Sequence, residues 1–276
     1  MEIERRVAVV TGGASGIGRS LCLAFAQRGA EAVVVADLDG PGAAQVAAQL
    51  EADGHRALAV TADLARPADA QALVDRAQDA FGRIDLFCSN AGIIVGGGVD
   101  LPDEAWSRMW DVNVHSHVYA ARAVLPGMLA RGEGYLLFTA SAAGLLTQLG
   151  SAPYAVTKHA LVALAEWLSI TYGNQGIAVS CLCPQAVSTN LLATSSRQVG
   201  AAPPSSASRG GSTQAAVDGV LTPEQVAACV LAGLADERFL ILPHPEVATY
   251  ERRRADDRER WLRGMRRMQA RLTGSR

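Results

Sequence analysis

Tyr154 and Lys158 stand four residues apart in Tyr154-Ala155-Val156-Thr157-Lys158, a spacing that puts both side chains on one face of a helix. A phenol ordinarily ionises near pH 10, too high for a base at neutral pH. An ammonium beside it favours the phenolate and is expected to lower that value. Such a pair takes a proton from a hydroxyl or gives one to a carbonyl oxygen. Of the 25 Lys+Arg residues in the chain, Lys158 is the only lysine. A guanidinium supplies charge as a broad fork where an ammonium supplies a compact point donor. The retention of one ammonium at this spacing therefore favours a chemical role over a solvated helix face.

Two more polar residues fall in register with that pair. Ser141 ends an apolar run 13 residues before Tyr154 and is placed to hold a substrate oxygen. Ser151 competes for that role but reads as a helix N-cap. Asn113 interrupts a mainly apolar helical segment. It is either a buried asparagine bonded to backbone or part of a water-binding relay behind Lys158.

A second constellation opens the chain. The apolar run Val7–Thr11 leads into Gly12-Gly13-Ala14-Ser15-Gly16-Ile17-Gly18, and a helical pattern follows. A glycine-rich turn between a strand and a helix lets a diphosphate approach backbone N–H groups at the positive end of the helix dipole. Gly12, Ser15, Gly16, Ile17 and Gly18 are the candidate contacts. Asp37 lies 19 residues after Gly18, close to the ~20 expected of the acid that binds an adenosine ribose. With Leu38 beside it, its carboxylate would repel a 2′-phosphate, so NAD is expected over NADP. Arg19 keeps NADP open as a minority alternative, and Asp37 could instead cap a turn. Asp63-Leu64 ends the third run, where an adenine would lie, and Asn90-Ala91-Gly92 ends the fourth.

The elements that must position these residues follow from hydropathy. Apolar runs occur at 7–11, 32–36, 57–61, 84–89, 135–140, 178–182 and 239–242. Helical spacing fills about 17–28, 41–53, 67–81, 103–131, 152–173 and 223–235. Continuous apolar strands alternating with helices imply an α/β fold, a Rossmann-like doubly wound parallel sheet of about seven strands covered on both faces. Gly29, Gly54, Gly82 and Gly132 stand where helices should stop. Residues 1–243 are expected to form one catalytic domain. Residues 190–218, rich in Ser, Ala, Gly and Pro, interrupt the rhythm as an irregular lid. Residues 244–276 carry ten arginines against five acids, with Trp261, Leu262, Met265, Met268 and Leu272 at helical spacing. They are expected to form a helical extension docked by its apolar stripe.

Together these residues resemble the short-chain dehydrogenase/reductase family in its one-domain form, over about residues 5–243. Thr11–Gly18 is similar to its TGxxxGxG turn. Asn90-Ala91-Gly92 is similar to its NNAG motif, with Ser89 in place of the first asparagine. Asn113, Ser141, Tyr154 and Lys158 match its catalytic tetrad. The resemblance implies an NAD(P)-dependent alcohol dehydrogenase or ketoreductase in which Lys158 also binds the nicotinamide ribose. It further implies that Thr189, in Pro184-Gln185-Ala186-Val187-Ser188-Thr189, contacts the carboxamide, with Pro184 and Val187 alongside. It implies a homodimer or homotetramer packed through the 103–131 and 152–173 helices. One departure stands out: the family usually has Pro-Gly where this chain has Pro184-Gln185.

Bulk properties narrow the partners. A net charge of -2 gives no global attraction to nucleic acid or anionic membrane. No apolar run reaches spanning length, and the acid-bearing N-terminus leads into a strand, so a cytoplasmic protein is expected. The cysteines, Cys22, Cys88, Cys181, Cys183 and Cys229, are odd in number and form no CxxC pair, so disulfides and metal are not expected. The segments expected around the substrate, 142–149, 93–97 and 186–192, are mostly apolar, with Gln148 the main exception. An apolar secondary alcohol or its ketone is the expected substrate, although Arg197 or Arg209 of the lid is placed to reach in. A catalytically silent NAD-sensing protein on the same fold, and a nucleic-acid binder using the Arg-rich tail, are the rival readings.

Overall fold

The computed structural model describes residues 1–199 and 216–273. Seven parallel strands form one sheet: β1 (Val7–Thr11), β2 (Ala32–Asp37), β3 (Ala57–Thr61), β4 (Leu86–Ser89), β5 (Gly134–Thr139), β6 (Ile177–Leu182) and β7 (Leu240–Ile241). Their order is β3-β2-β1-β4-β5-β6-β7. The chain lays down β1 to β3 in one direction, then returns to place β4 on the other side of β1. The connections at β1 and β4 therefore run to opposite sides, opening a crevice at their C-terminal ends where ligands bind in sheets of this kind.

The continuous apolar runs have a plain cause. Side chains alternate between the two faces of a strand, and both faces are covered. Val9, Val34, Phe87, Leu136 and Phe138 enter one core together with α3 (Pro67–Phe81), α5 (Ser116–Arg131) and α7 (Ala152–Tyr172). Ala8, Val10, Val33, Val35 and Leu137 enter the other with α1 (Gly16–Gln27), α2 (Gly40–Ala52) and α9 (Pro223–Ala235).

The expected helix over 103–131 is instead α4 (Asp103–Trp110), a π-helical turn (Asp111–His115) and α5. The Asn113 amide donates to the Ile93 carbonyl at 2.9 Å and its oxygen accepts from Ile93 N–H at 2.8 Å. This bidentate grip holds the wider turn against the loop after β4. The expected irregular segment at 190–218 begins with a helix, α8 (Leu191–Val199); residues 200–215, Arg209 among them, lie outside the described residues. Ser195 pins α8 down, its hydroxyl donating to Leu191 O at 2.6 Å and accepting from Ile94 N–H at 2.9 Å. Short α6 (Ala143–Leu146) follows β5.

The tail forms two helices, α10 (Glu246–Asp256) and α11 (Arg258–Thr273). α10 packs on α6 and buries Val247 fully. No residue of α11 is fully buried, and its expected stripe is only half covered.

Asp85 anchors the N-terminal ends of the central strands, opposite the crevice. It is 1% exposed, accepts from Val7 N–H at 2.9 Å and from Arg83 Nε at 2.7 Å, and has Arg6 at 3.7 Å. Asp85→Ala would orphan a buried N–H at the start of β1 and leave Arg83 with Glu133 as its remaining acidic partner. Denaturant unfolding is expected to show a loss of about 3 kcal/mol, and a loss within error would mean that the contacts are redundant.

Candidate active site

A cleft opens along the C-terminal ends of β1, β2, β4, β5 and β6. It is lined by Gly12, Ser15, Gly16, Ile17, Asp37, Leu38, Asp63, Leu64, Asn90, Ala91, Gly92, Ser141, Tyr154, Lys158, Pro184, Val187 and Thr189. These are the sequence candidates with two exceptions. Gly18 lies beneath the turn, and Asn113 lies behind the wall.

The first turn is shaped by what it excludes. Gly12 has φ 67, and a β-carbon on Gly18 would fall 2.0 Å from the Gly12 carbonyl oxygen. The turn thus closes flat over the start of α1. Ser15 makes no side-chain cap, so it leaves the helix N–H groups to whatever anion occupies the cleft. Thr11 ties this turn to the next strand. Its Oγ1 accepts from Asn90 N–H at 2.9 Å and Ala91 N–H at 3.1 Å, while Asn90 Nδ2 donates to Thr11 O at 3.0 Å. Asp37 Oδ2 accepts from Ala14 N–H at 3.0 Å, which turns the carboxylate towards the cradle. Arg19, by contrast, donates to Gln49 at 2.8 Å and is held on the outer surface of α1. This cradle fits a dinucleotide, with Asp37 at the far end from Lys158.

Tyr154 and Lys158 both lie in the first turns of α7, as their spacing requires. Each is buried, at 8% and 3% exposure. Lys158 Nζ donates to Thr139 O at 2.9 Å, at the end of β5, and lies 5.7 Å from the Tyr154 ring centre. Gly92 passes close by, since a β-carbon there would stand 3.3 Å from Lys158 Nζ and 3.4 Å from Asn113 Oδ1. Ser141 Oγ accepts from Ala143 N–H at 3.1 Å, which fixes the hydroxyl at the mouth of β5. Asn113 also donates to Thr157 Oγ1 at 3.1 Å. Its side-chain amide is committed to protein partners, so the backbone-bonding alternative describes it.

The electrostatics differ from the expectation that Lys158 lowers the tyrosine. Burial pushes the Tyr154 phenol above its ordinary value, and the adjacent Ser141 hydroxyl pulls only partly the other way. Burial also brings the Lys158 ammonium down, to about 8. Desolvation penalises both charged forms, and the ammonium faces the Thr139 carbonyl.

The sequence reading missed three features. His117 is fully buried, shares a 2.6 Å hydrogen bond with Ser89 through Nδ1, and is held well below its ordinary pKa by burial and by Lys158. Its signal was a histidine on the apolar face of α5. Arg108 meets Asp63 at 3.6 Å across the rim. Gln185 Nε2 donates to Asp218 Oδ2 at 2.8 Å, and Tyr250 donates to Asp218 Oδ1 at 2.9 Å. No spacing rule links positions so distant in sequence.

The short chain dehydrogenase family model matches residues 6–200. The chain belongs to that family. It is 38% identical over 261 residues to 1-deoxy-11-beta-hydroxypentalenate dehydrogenase of Streptomyces exfoliatus, covering 93% of this chain and 90% of that one. It is 35% identical over 194 residues to cyclohexanol dehydrogenase of an Acinetobacter species, covering 70% and 77%. A short-chain dehydrogenase/reductase from Burkholderia phymatum, solved in complex with NAD, superposes with a TM-score of 0.86 at 33% identity, covering 94% and 96%. The chain is therefore an oxidoreductase of the alcohol-dehydrogenase type that uses a nicotinamide cofactor. Among the described residues no helix is long and apolar enough to cross a membrane, and no cluster suits a metal ion.

The buried ammonium makes stability depend on pH. Between about 8 and its ordinary value of 10.5, the unfolded chain holds a proton at Lys158 that the folded chain has released, so stability rises with pH across that window. Below 8 both states are protonated and the full burial penalty applies. The stability of nucleotide-free Lys158→Met relative to wild type is therefore expected to fall by up to about 3 kcal/mol between pH 8 and 10.5. Parallel denaturant titrations read this difference; one that ignores pH would mean that the ammonium is not desolvated.

Proposed function

We propose that this enzyme is an NAD-dependent dehydrogenase that interconverts an apolar secondary alcohol and its ketone, with Tyr154 as acid and base. The observation that carries the reading is the convergence of Ser141, Tyr154 and Lys158 on one buried spot beside a cradle that ends in Asp37. When bound, the nicotinamide supplies or accepts the hydride. Ser141 Oγ holds the substrate oxygen. In oxidation the Tyr154 phenolate takes the hydroxyl proton, and in reduction the phenol returns it to the carbonyl oxygen. Binding in the cleft displaces water, so the proton passes between two fixed oxygens. Lys158, steadied by Thr139 O, provides positive charge near the ring that favours the phenolate against the burial that disfavours it. Gly92 leaves room for that arrangement. Asn113 fixes the π-helical turn that shapes the wall behind Lys158, leaving a water relay there to its main chain.

The cofactor choice rests on Asp37, whose carboxylate faces the cradle and would repel a 2′-phosphate, while Arg19 is engaged elsewhere. Thr189, Pro184 and Val187 line the end of the cleft where the nicotinamide would lie. The apolar substrate is supported by Ile93 and Val112, which line the cleft, and by a relative named for a cyclic alcohol, cyclohexanol. Exposed Trp167 and Ile170 on α7 favour assembly of two or more copies through that helix.

NADH formation from NAD and cyclohexanol is expected, with Tyr154→Phe lowering kcat/KM by about 10²–10⁴-fold while nucleotide affinity is retained. Asp37→Ser is expected to shift the NAD:NADP preference towards NADP by about tenfold or more. Turnover by wild type with NADP alone would overturn the reading of Asp37. Full activity in Tyr154→Phe would overturn the acid–base assignment.

A further inference from the structure

A second cavity of about 660 Å³ lies beside the catalytic cleft. Leu146 of α6 and Trp261, Met265 and Met268 of α11 form its apolar walls. Gln185 lines this cavity and the catalytic cleft alike. Its backbone N–H donates to His244 Nδ1 at 3.2 Å, and its side-chain amide donates to Asp218, which also holds Tyr250. Gln185 thus borders both spaces and is tied, through its backbone and its side chain, to residues further along the chain.

We infer that this cavity is a distal substrate subsite with Gln185 as its gate, so that the enzyme's substrates are bulky, mainly apolar alcohols of about three or four fused rings. The inference deepens the alcohol–ketone reading and rests on it. The volume falls within the range of sites that bury a whole small molecule, and a one-ring alcohol held at Ser141 and Tyr154 would leave it empty. Trp261, Gly264, Met265 and Met268 recur at helical spacing on one face of α11 and turn to the cavity, leaving that face half covered. An amphipathic stripe normally buries itself in the core. Tryptophan gives a flat apolar wall and methionine an adaptable one, a combination suited to rigid fused rings. The rim charges do not call for an ionic ligand: Arg253, Arg260 and Arg267 are balanced by Asp218, Asp256 and Asp257. Glycine at position 185 would present no side chain to either space, whereas the glutamine side chain is held between them by its bond to Asp218, and in this reading a ligand reaching the subsite displaces it.

The test compares cyclohexanol, a decalin alcohol and a 3-hydroxysteroid as substrates with NAD, in wild type, Gln185→Gly, Trp261→Phe and Trp261→Ala. Wild type is expected to have the highest kcat/KM for the steroid. Trp261→Ala is expected to lower the steroid-to-cyclohexanol ratio of kcat/KM by about tenfold or more, through KM, as loss of an aromatic contact requires. Trp261→Phe should keep most of that ratio, and Gln185→Gly should change it by severalfold. Calorimetric titration of the 3-ketosteroid into the enzyme with NADH supplies a readout free of turnover, with an expected tenfold weaker affinity in Trp261→Ala. Turnover of alcohols with a ratio and an affinity indifferent to Trp261→Ala would overturn the subsite and leave the chemistry standing. Trp261-dependent steroid binding without turnover of any alcohol would do the reverse. Neither binding nor turnover would sink both.

Discussion

An ammonium group held out of water by a single carbonyl contact governs the site. Lys158 Nζ meets Thr139 O at 2.9 Å with 3% of the residue exposed. Burying a charge is unfavourable unless it is paired or bonded, and among the described residues no carboxylate pairs with it. The protein tolerates the penalty because the surrounding sheet is covered on both faces by large apolar cores. The effect reaches beyond Lys158. The same positive charge, with burial, keeps His117 neutral, so the Ser89–His117 pair serves as an uncharged polar link between β4 and α5. A second cation there would compound the desolvation that Lys158 already carries. The site thus holds one charge poised close to neutrality, which a group on the reaction coordinate can exploit.

Topology explains why that charge has something to act on. β1 is hydrogen-bonded to both β2 and β4, so the chain leaves its C-terminal end in opposite directions on either side. The gap would splay without a tie, and Thr11 supplies one by accepting two N–H groups from the loop after β4. Gly12 and Gly18 then bring the first turn down to backbone contact. Tyr154 and Lys158 arrive from the far side, on a helix whose start is fixed by Ser151 reaching back to Val95 O. The Gly12–Gly18 turn and the Tyr154–Lys158 pair thus stand at two ends of one crevice along the strand ends.

Much of this was legible in the chain because its signals are local. Strand runs bounded by glycine, the i, i+4 pair at 154 and 158, and the distance from Gly18 to Asp37 each depend on a few neighbouring residues. The seven strands accordingly fall within one or two residues of their expected places, β7 being shorter. What was not legible depends on partners far away in sequence. Asn113 reads as a polar intruder in one long helix; only the loop at Ile93, 20 residues away, forces the π-helical turn. The tyrosine was expected to be acidified by its lysine. Spacing fixes the shared helix face, but the depth of burial, set by the whole sheet, decides which electrostatic contribution wins.

The C-terminal residues show the same limit from the other side. Their pattern alone describes an amphipathic helix in search of a core, and periodicity cannot tell a core from a cavity. The difference lies in Gln185. A side chain at that position fills space on the cleft side and, through Asp218 and Tyr250, binds the loop after β6 to the helices beyond β7. Gln185 lines the cleft, yet its hydrogen bonds run to His244 and Asp218 and not to Ser141, Tyr154 or Lys158. The fold thereby separates two demands that conflict when met by the same residues. Proton transfer needs groups fixed to fractions of an ångström on strands and helix starts. Recognition of a large apolar body, as in the proposed subsite, needs a wall that can adapt, and methionine and tryptophan on a half-covered terminal helix can yield without disturbing the sheet.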